Sequence, residues 1–145
     1  MSLEDRVQRL EDLAAIDRLF SDYRRCLDER DYAGYANLFT EDGTLIADNI
    51  GTATGRADIK AMLDVAPEEN LGIEPGSDYH LVANPTVDLD PSGDRATARV
   101  TWGFIQRGEG DRPVLSMLGH YDDVLVKVDG RWYFQVRDAR SDVPA

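Results

Sequence analysis

The chain carries two histidines, His80 and His120, and one cysteine, Cys26. Two histidines are too few for a histidine-rich metal site and Cys26 has no companion thiolate, so no transition-metal centre is expected. An imidazole with a carboxylate neighbour is instead the usual equipment for moving a proton near neutral pH. No Gly-x-Ser-x-Gly elbow, phosphate-cradling glycine loop or dinucleotide fingerprint is present, and Gly51 to Gly55 reads only as a turn signal. Proton transfer without a cofactor is therefore the chemistry these residue types suit.

His80 opens the run His80 to Asp90. Alternation places His80, Val82, Asn84 and Thr86 on one face of a strand, with Leu81, Ala83, Pro85 and Val87 on the other. A histidine and an asparagine on one side suit a polar-lined pocket, or else an edge strand with a satisfied polar face. Tyr23 sits on the apolar face of the first helix in line with Ile16, Leu19 and Phe20, as a core tyrosine or as a pocket donor. Asp28 is placed by periodicity on the polar side with Asp17, Ser21 and Arg24, and would turn inward only if the helix ended or bent near Leu27. Trp102 and Phe104 are core residues or a ligand wall. Arg137 alternates with Tyr133 and Gln135, opposite Trp132, Phe134 and Val136, and reaches a pocket rim or pairs with an acid outside.

The elements that must position these residues follow from periodicity. Apolar residues from Leu3 to Leu27 recur at three- and four-residue intervals, giving an amphipathic helix with one continuous buried face and Ser2 as its N-cap. Asp31 caps a short second helix carrying Tyr32, Tyr35, Ala36, Leu38 and Phe39. Thr40 to Gly43 reads as a turn, Thr44 to Ala47 as a short strand, and Gly51 to Gly55 as a tight loop or hairpin tip. A third helix runs from Arg56 to Ala66 and stops at Pro67. The loop from Pro67 to Ser77 is expected to be mobile and exposed. Strands follow over Tyr79 to Leu89, Arg95 to Arg107, Val114 to Val128 and Arg131 to Arg140, with Asp129-Gly130 as a hairpin turn. Helices followed by strands predict an α+β domain, with the helices on one face of a curved antiparallel sheet and a cone-shaped pocket between the layers.

At 145 residues this is one domain spanning 1–145. The formal charge of −12 and the absence of a clustered basic face argue against nucleic acid and anionic membrane surfaces. No apolar run is long enough to span a membrane. Met1 to Arg6 lacks a signal peptide's basic and apolar regions, and a lone cysteine suits a reducing compartment, so a cytoplasmic location is expected.

Several local patterns, in this order, resemble the SnoaL-like branch of the nuclear transport factor 2-like superfamily. They are Phe20 to Asp28, Tyr35 to Thr44, Gly55 to Ile59, His80-x-x-x-Asn84, Gly119 to Asp123, and Asp129 to Trp132 with Arg137. Within the branch the chain is similar to the group containing the dehydrochlorinase of chlorinated cyclohexanes, scytalone dehydratase and a bile-acid dehydratase. That resemblance implies a cone-shaped sheet wrapped around three N-terminal helices. It also implies a cofactor-independent lyase or isomerase acting on a hydrophobic cyclic small molecule.

On the same resemblance Asp28 orients His80, His80 abstracts the proton, and Tyr23 contacts a substrate oxygen; Asn84, Trp102, His120 and Arg137 are the further candidates for the pocket. Two departures prevent carrying over a specific substrate. The stretch Ala98 to Phe104 lacks the extra aspartate of the bile-acid dehydratase, and the dehydrochlorinase has no tyrosine at the position of Tyr23. The resemblance also reaches the small subunits of ring-hydroxylating dioxygenases, which share this fold, so a non-catalytic assembly module is the alternative. A homo-oligomer covering the sheet face that bears Val124, Val126 and Val128 is expected, and the dehydratase group implies a trimer rather than a dimer.

Overall fold

The computed structural model describes residues 1–48, 50–66 and 78–144. Helix α1 runs Leu3–Asp28 and opens with a reciprocal cap: Ser2 Oγ accepts from the Asp5 N–H, and the Asp5 carboxylate accepts from the Ser2 N–H, both at 3.0 Å. These bonds satisfy two of the backbone donors that a helix start leaves unpaired. The buried face of α1 begins only at Asp12 and continues through Ile16, Leu19, Phe20, Tyr23 and Cys26. Leu3, Val7 and Leu10 extend the same periodicity but stay exposed, so the buried stripe is shorter than the apolar stripe.

Helix α2, Tyr32–Ala36, is capped by the Asp31 carboxylate, which accepts from the Gly34 N–H at 2.9 Å. It ends before Leu38 and Phe39, because Phe39 starts strand β1, Phe39–Ala47, and pairs in parallel with Phe134. The expected turn at Thr40 to Gly43 is absorbed into β1 as an irregularity, with register lost between Phe39 and Thr44. Gly43 permits this: a Cβ there would sit 3.0 Å from the Phe39 Cβ and 3.1 Å from the Phe134 carbonyl. The Gly51 stretch is strand β2, Gly51–Thr54, paired antiparallel to β1. Helix α3 spans Arg56–Ala66. The expectation of an exposed loop over 67–77 lies outside the described residues.

Strands β3 (Asp78–Leu89), β4 (Arg95–Arg107), β5 (Pro113–Val128) and β6 (Arg131–Val143) complete a six-stranded sheet in the order β2-β1-β6-β5-β4-β3. The α+β class stands, but the sheet is mixed rather than antiparallel, since β1 runs parallel to β6. Along β4 the buried residues Ala96, Ala98, Val100 and Trp102 alternate with exposed ones and Phe104 continues the row past a buried Gly103, so one face of the sheet meets the helices.

Bulges interrupt the alternation on three strands, and each flips which side chains face inward. On β3 the register to β4 slips between Ala83 and Thr86, and Asn84 takes a left-handed φ of 53°. On β5 it slips beside Ser116, and on β6 beside Gln135. The core between the helices and the sheet includes Ile16, Phe20, Tyr35, Phe39, Leu125 and Phe134. Among the described residues no helix is long and apolar enough to cross a membrane.

Candidate active site

Asp28 is the last residue of α1, and its side chain is only 9 % exposed. Periodicity places it on the polar side of the helix, the helix ends there, and strand β3 arrives at that side and covers it. The His80 backbone N–H donates to both carboxylate oxygens, at 3.1 and 3.2 Å, and His80 Nδ1 lies 2.8 Å from Oδ1. Arg24, one turn earlier, donates to Oδ2 at 3.2 Å. A carboxylate is acceptor-only, so in the neutral imidazole the nitrogen facing it carries the proton and the lone pair lies on Nε2. The ring packs on Phe104 with centroids 4.9 Å apart.

His80 forms part of the wall of a cavity of about 350 Å³ between the helices and the sheet. Leu27, Leu45, Leu63, Trp102, Phe104 and Met117 supply apolar surface, the hydroxyls come from four tyrosines and Ser141, and Arg30 and Asp48 add charged groups. Tyr23 and Tyr35 are buried and face each other, the Tyr35 hydroxyl donating to that of Tyr23 at 2.6 Å. A hydroxyl that accepts one hydrogen bond becomes a better donor of its own proton. Tyr121 joins them, with its ring edge-on to Tyr23 at 5.5 Å. Burial pushes the Tyr23 phenol upward against the opposing pull of Arg137. Burial, reinforced by Tyr23, holds Tyr35 and Tyr121 well above the usual phenol range. All three are therefore hydrogen-bond donors at neutral pH.

Beneath the tyrosines Arg137 is fully buried and makes a two-pronged ion pair with Asp123, both bonds at 2.8 Å. Burial disfavours the guanidinium charge, but Asp123 outweighs it and keeps Arg137 cationic. Its guanidinium lies 3.7 Å from the Tyr121 ring centre and 4.2 Å from that of Tyr23. Neither expected place, a pocket rim or an outside ion pair, is where Arg137 lies: the bulge beside Gln135 flips the parity of β6, so Arg137 points inward, pairs with an acid in the core and underlies the site.

Asn84 and His120 are also corrected. The β3 bulge leaves Asn84 exposed and away from the cavity. His120 alternates with the inward Gly119 and Tyr121, so it lies on the convex face of the sheet, where Nδ1 meets Asp142 at 2.7 Å. Trp102 does line the cavity, and its indole N–H donates to the His120 carbonyl at 3.3 Å. Its indole lies over Gly119, where a Cβ would come within 2.3 Å of the ring.

Thus Tyr23, His80 and Trp102 share one cavity, with Asp28 behind His80. Tyr35 and Tyr121 were not among the sequence candidates. Tyr121 was findable, since only one of the neighbours His120 and Tyr121 can face inward. Tyr35 carried no such signal. Among the described residues no group of three or more potential ligands is arranged around a metal.

The SnoaL-like domain family matches residues 8–138 of the chain. No curated protein sequence matches. Among solved structures, an NTF2-like protein with a cystatin-like fold from Novosphingobium aromaticivorans is 25 % identical, covering 94 % of this chain and 86 % of its own, with a TM-score of 0.82. A proposed scytalone dehydratase from the same organism is 32 % identical, covering 93 % and 87 %, with a TM-score of 0.73. ActVI-ORFA from Streptomyces coelicolor is 26 % identical, covering 90 % and 98 %, with a TM-score of 0.78.

Proposed function

The chain belongs to the family of SnoaL-like domains, and from that premise we propose that it is a cofactor-independent lyase of the dehydratase type, or an isomerase, acting on a hydrophobic cyclic small molecule. One observation carries the reading: His80 is held by Asp28 through Nδ1 at 2.8 Å while its ring forms part of the cavity wall. Nε2 removes a proton from a carbon next to an electron-withdrawing group, and Asp28 stabilises the imidazolium that forms. Tyr23, backed by Tyr35, donates to the oxygen on which negative charge develops. In an elimination the electron pair of the broken C–H bond becomes the new double bond, and the leaving hydroxide takes the imidazolium proton and departs as water. In an isomerisation the same proton returns at another carbon.

The lyase arm draws support from the 32 % identity to the proposed scytalone dehydratase. The largely apolar wall, Leu27, Leu45, Leu63, Phe104 and Met117, suits a ring compound rather than a charged metabolite. A base in a cavity wall favours this reading over the assembly module, for which a cavity has no use. The convex face exposes Tyr79, Leu81, Leu115, Leu118 and Val143, a larger apolar surface than that of Val124, Val126 and Val128. We propose that a homo-oligomer, a trimer rather than a dimer, covers it, and sedimentation of the purified protein tests that. The catalytic proposal is tested by screening hydroxylated ring compounds for loss of water and repeating the active assay with His80→Ala. Turnover should nearly vanish in the folded variant; a fully active variant removes His80 from the mechanism.

A further inference from the structure

We propose that the ion pair between the half-buried Arg30 and the buried Asp78 is the positioning pair of this site, the device that sets which residue of β3 reaches Asp28. The proposal rests on the reading of Asp28 as the partner that orients His80.

Arg30 follows Asp28 by two residues, and Asp78 precedes His80 by two. Two residues is the strand period, so Asp78 and His80 face the same way, while Tyr79 between them is 54 % exposed. The end of α1 and the start of β3 are thereby joined twice, by Asp28 with His80 and by Arg30 with Asp78, whose Nη2 and Oδ1 lie 2.9 Å apart. Arg30 also donates through Nη1 to the Leu27 carbonyl at 3.1 Å, which fixes its guanidinium to the helix turn that carries Asp28.

Three features indicate that this pair sets register. The Asp78 side chain is fully buried, and its Oδ2 meets no hydrogen-bond donor among the described residues. Removing a carboxylate from water at that cost is a poor way to gain stability, whereas in some proteins a buried polar or ionic group selects one alignment over its neighbours. Arg30 adopts φ of 61°, a left-handed conformation uncommon outside glycine, and this bend follows directly on the helix end. The register itself is critical, because a slip of one residue along β3 would turn His80 to the convex face and offer Tyr79 to Asp28. The ladder to β4, in which Asp78 pairs with Gln106, aligns β3 with the sheet but not with the helix.

Because Arg30 also touches the cavity, activity alone would not separate positioning from substrate contact. The test therefore reads the imidazole in the ligand-free protein. With 15N-labelled histidine there are two rings to follow, and His120→Gln assigns them. At about pH 9, where imidazoles are neutral, the unaltered protein should show His80 as a single tautomer with the proton on Nδ1. In the double variant Arg30→Gln/Asp78→Asn, which removes both charges together, the His80 signals should move to the average of two tautomers while those of His120 stay in place. Asp78→Asn alone serves if the double variant does not fold, and Arg30→Lys, which keeps the cation, should retain the single tautomer. A folded variant whose His80 remains locked overturns the positioning role and leaves the proposed function standing. An unaltered protein whose His80 already averages overturns the orienting role of Asp28, and the proposal with it.

Discussion

The two faces of the sheet each carry a histidine held by an aspartate, and the two pairs are almost equally short: 2.8 Å for His80 with Asp28 inside and 2.7 Å for His120 with Asp142 outside. Residue type and distance therefore do not separate a candidate base from a surface ion pair. The surroundings do. Asp28 is 9 % exposed and the His80 ring opens onto the cavity, whereas Asp142 is half exposed and the second nitrogen of His120 faces another carboxylate, Asp122, at 3.5 Å. Inside, the pair acts in a low dielectric with one nitrogen left for a substrate; outside, both nitrogens are engaged and water screens the charges.

The comparison is sharpened most by removing each histidine in turn. With any ring compound that the enzyme turns over, His80→Ala should lower kcat on the order of a hundred- to ten-thousand-fold, the usual contribution of a positioned base. Asp28→Asn should approach that loss, since an amide can present its N–H to Nδ1 and leave the proton on the wrong nitrogen. His120→Ala should leave kcat within about twofold, as surface changes away from a site generally do. Equal losses for the two histidines would erase the distinction between the faces.

Ion pairs extend the contrast to stability. Arg137→Met strands the Asp123 carboxylate in the core and should cost about 3–5 kcal/mol, read from urea unfolding midpoints, with much of the loss recovered by adding Asp123→Leu. Arg99 makes an equally well-formed two-pronged pair with Asp122 on the convex face, at 2.7 and 2.9 Å. Arg99→Ala there should leave the unfolding midpoint nearly unchanged, because water screens the pair.

The helices, the hairpins and the inward row of β4 were legible because a regular period runs through them unbroken. Most of what escaped the sequence lies at or beyond a bulge, or depends on a segment distant along the chain. Asn84 and Arg137 each follow the parity rule until a single extra residue reverses it, and no residue type near Gln135 announces that reversal. Asp28 escaped for another reason: what buries it is β3, fifty positions on, so no local pattern around Leu27 encodes its burial. His120 was mistaken although parity held, because Gly119 to Asp123 offers two polar rings in succession and only Tyr121 shares the face of Gly119.

Gly119 supplies a smaller probe of the concave side alone. A methyl group at this position meets the Trp102 indole and the Arg140 carbonyl, the latter being backbone that cannot swing away. Gly119→Ala should cost about 1–3 kcal/mol as overpacking and displace Trp102 into the cavity, raising KM more than it lowers kcat. His120, the next residue, points the other way, so its contact with Asp142 should be unchanged in the same variant. If binding is unaffected and the His120 contact is lost, the wall belongs to the other face.

The smallest effect concerns two aspartates held below the usual carboxylate range, one on each side. At Asp12, burial pushes the carboxyl up, but hydrogen bonds from Lys127 at 2.8 Å and Trp132 at 3.0 Å outweigh it. At Asp122 the hydrogen bond from Arg99 dominates and burial opposes it. A depressed carboxyl contributes stability that is present above its unfolded value, about 3.9, and lost as the pH falls through its lower folded value. Asp12→Asn and Asp122→Asn should each make stability decline less steeply with acid below about pH 4. The two should part with salt, because Asp12 is 6 % exposed at its side chain and Asp122 is 45 % exposed. At about 1 M salt, where screening acts within about 3 Å, the flattening caused by Asp122→Asn should disappear while that caused by Asp12→Asn persists. Unfolding midpoints from about pH 6 to 2 at low and high salt measure both, and a salt-sensitive Asp12 would mean that the helix-to-sheet contact at Trp132 is wetter than its burial implies.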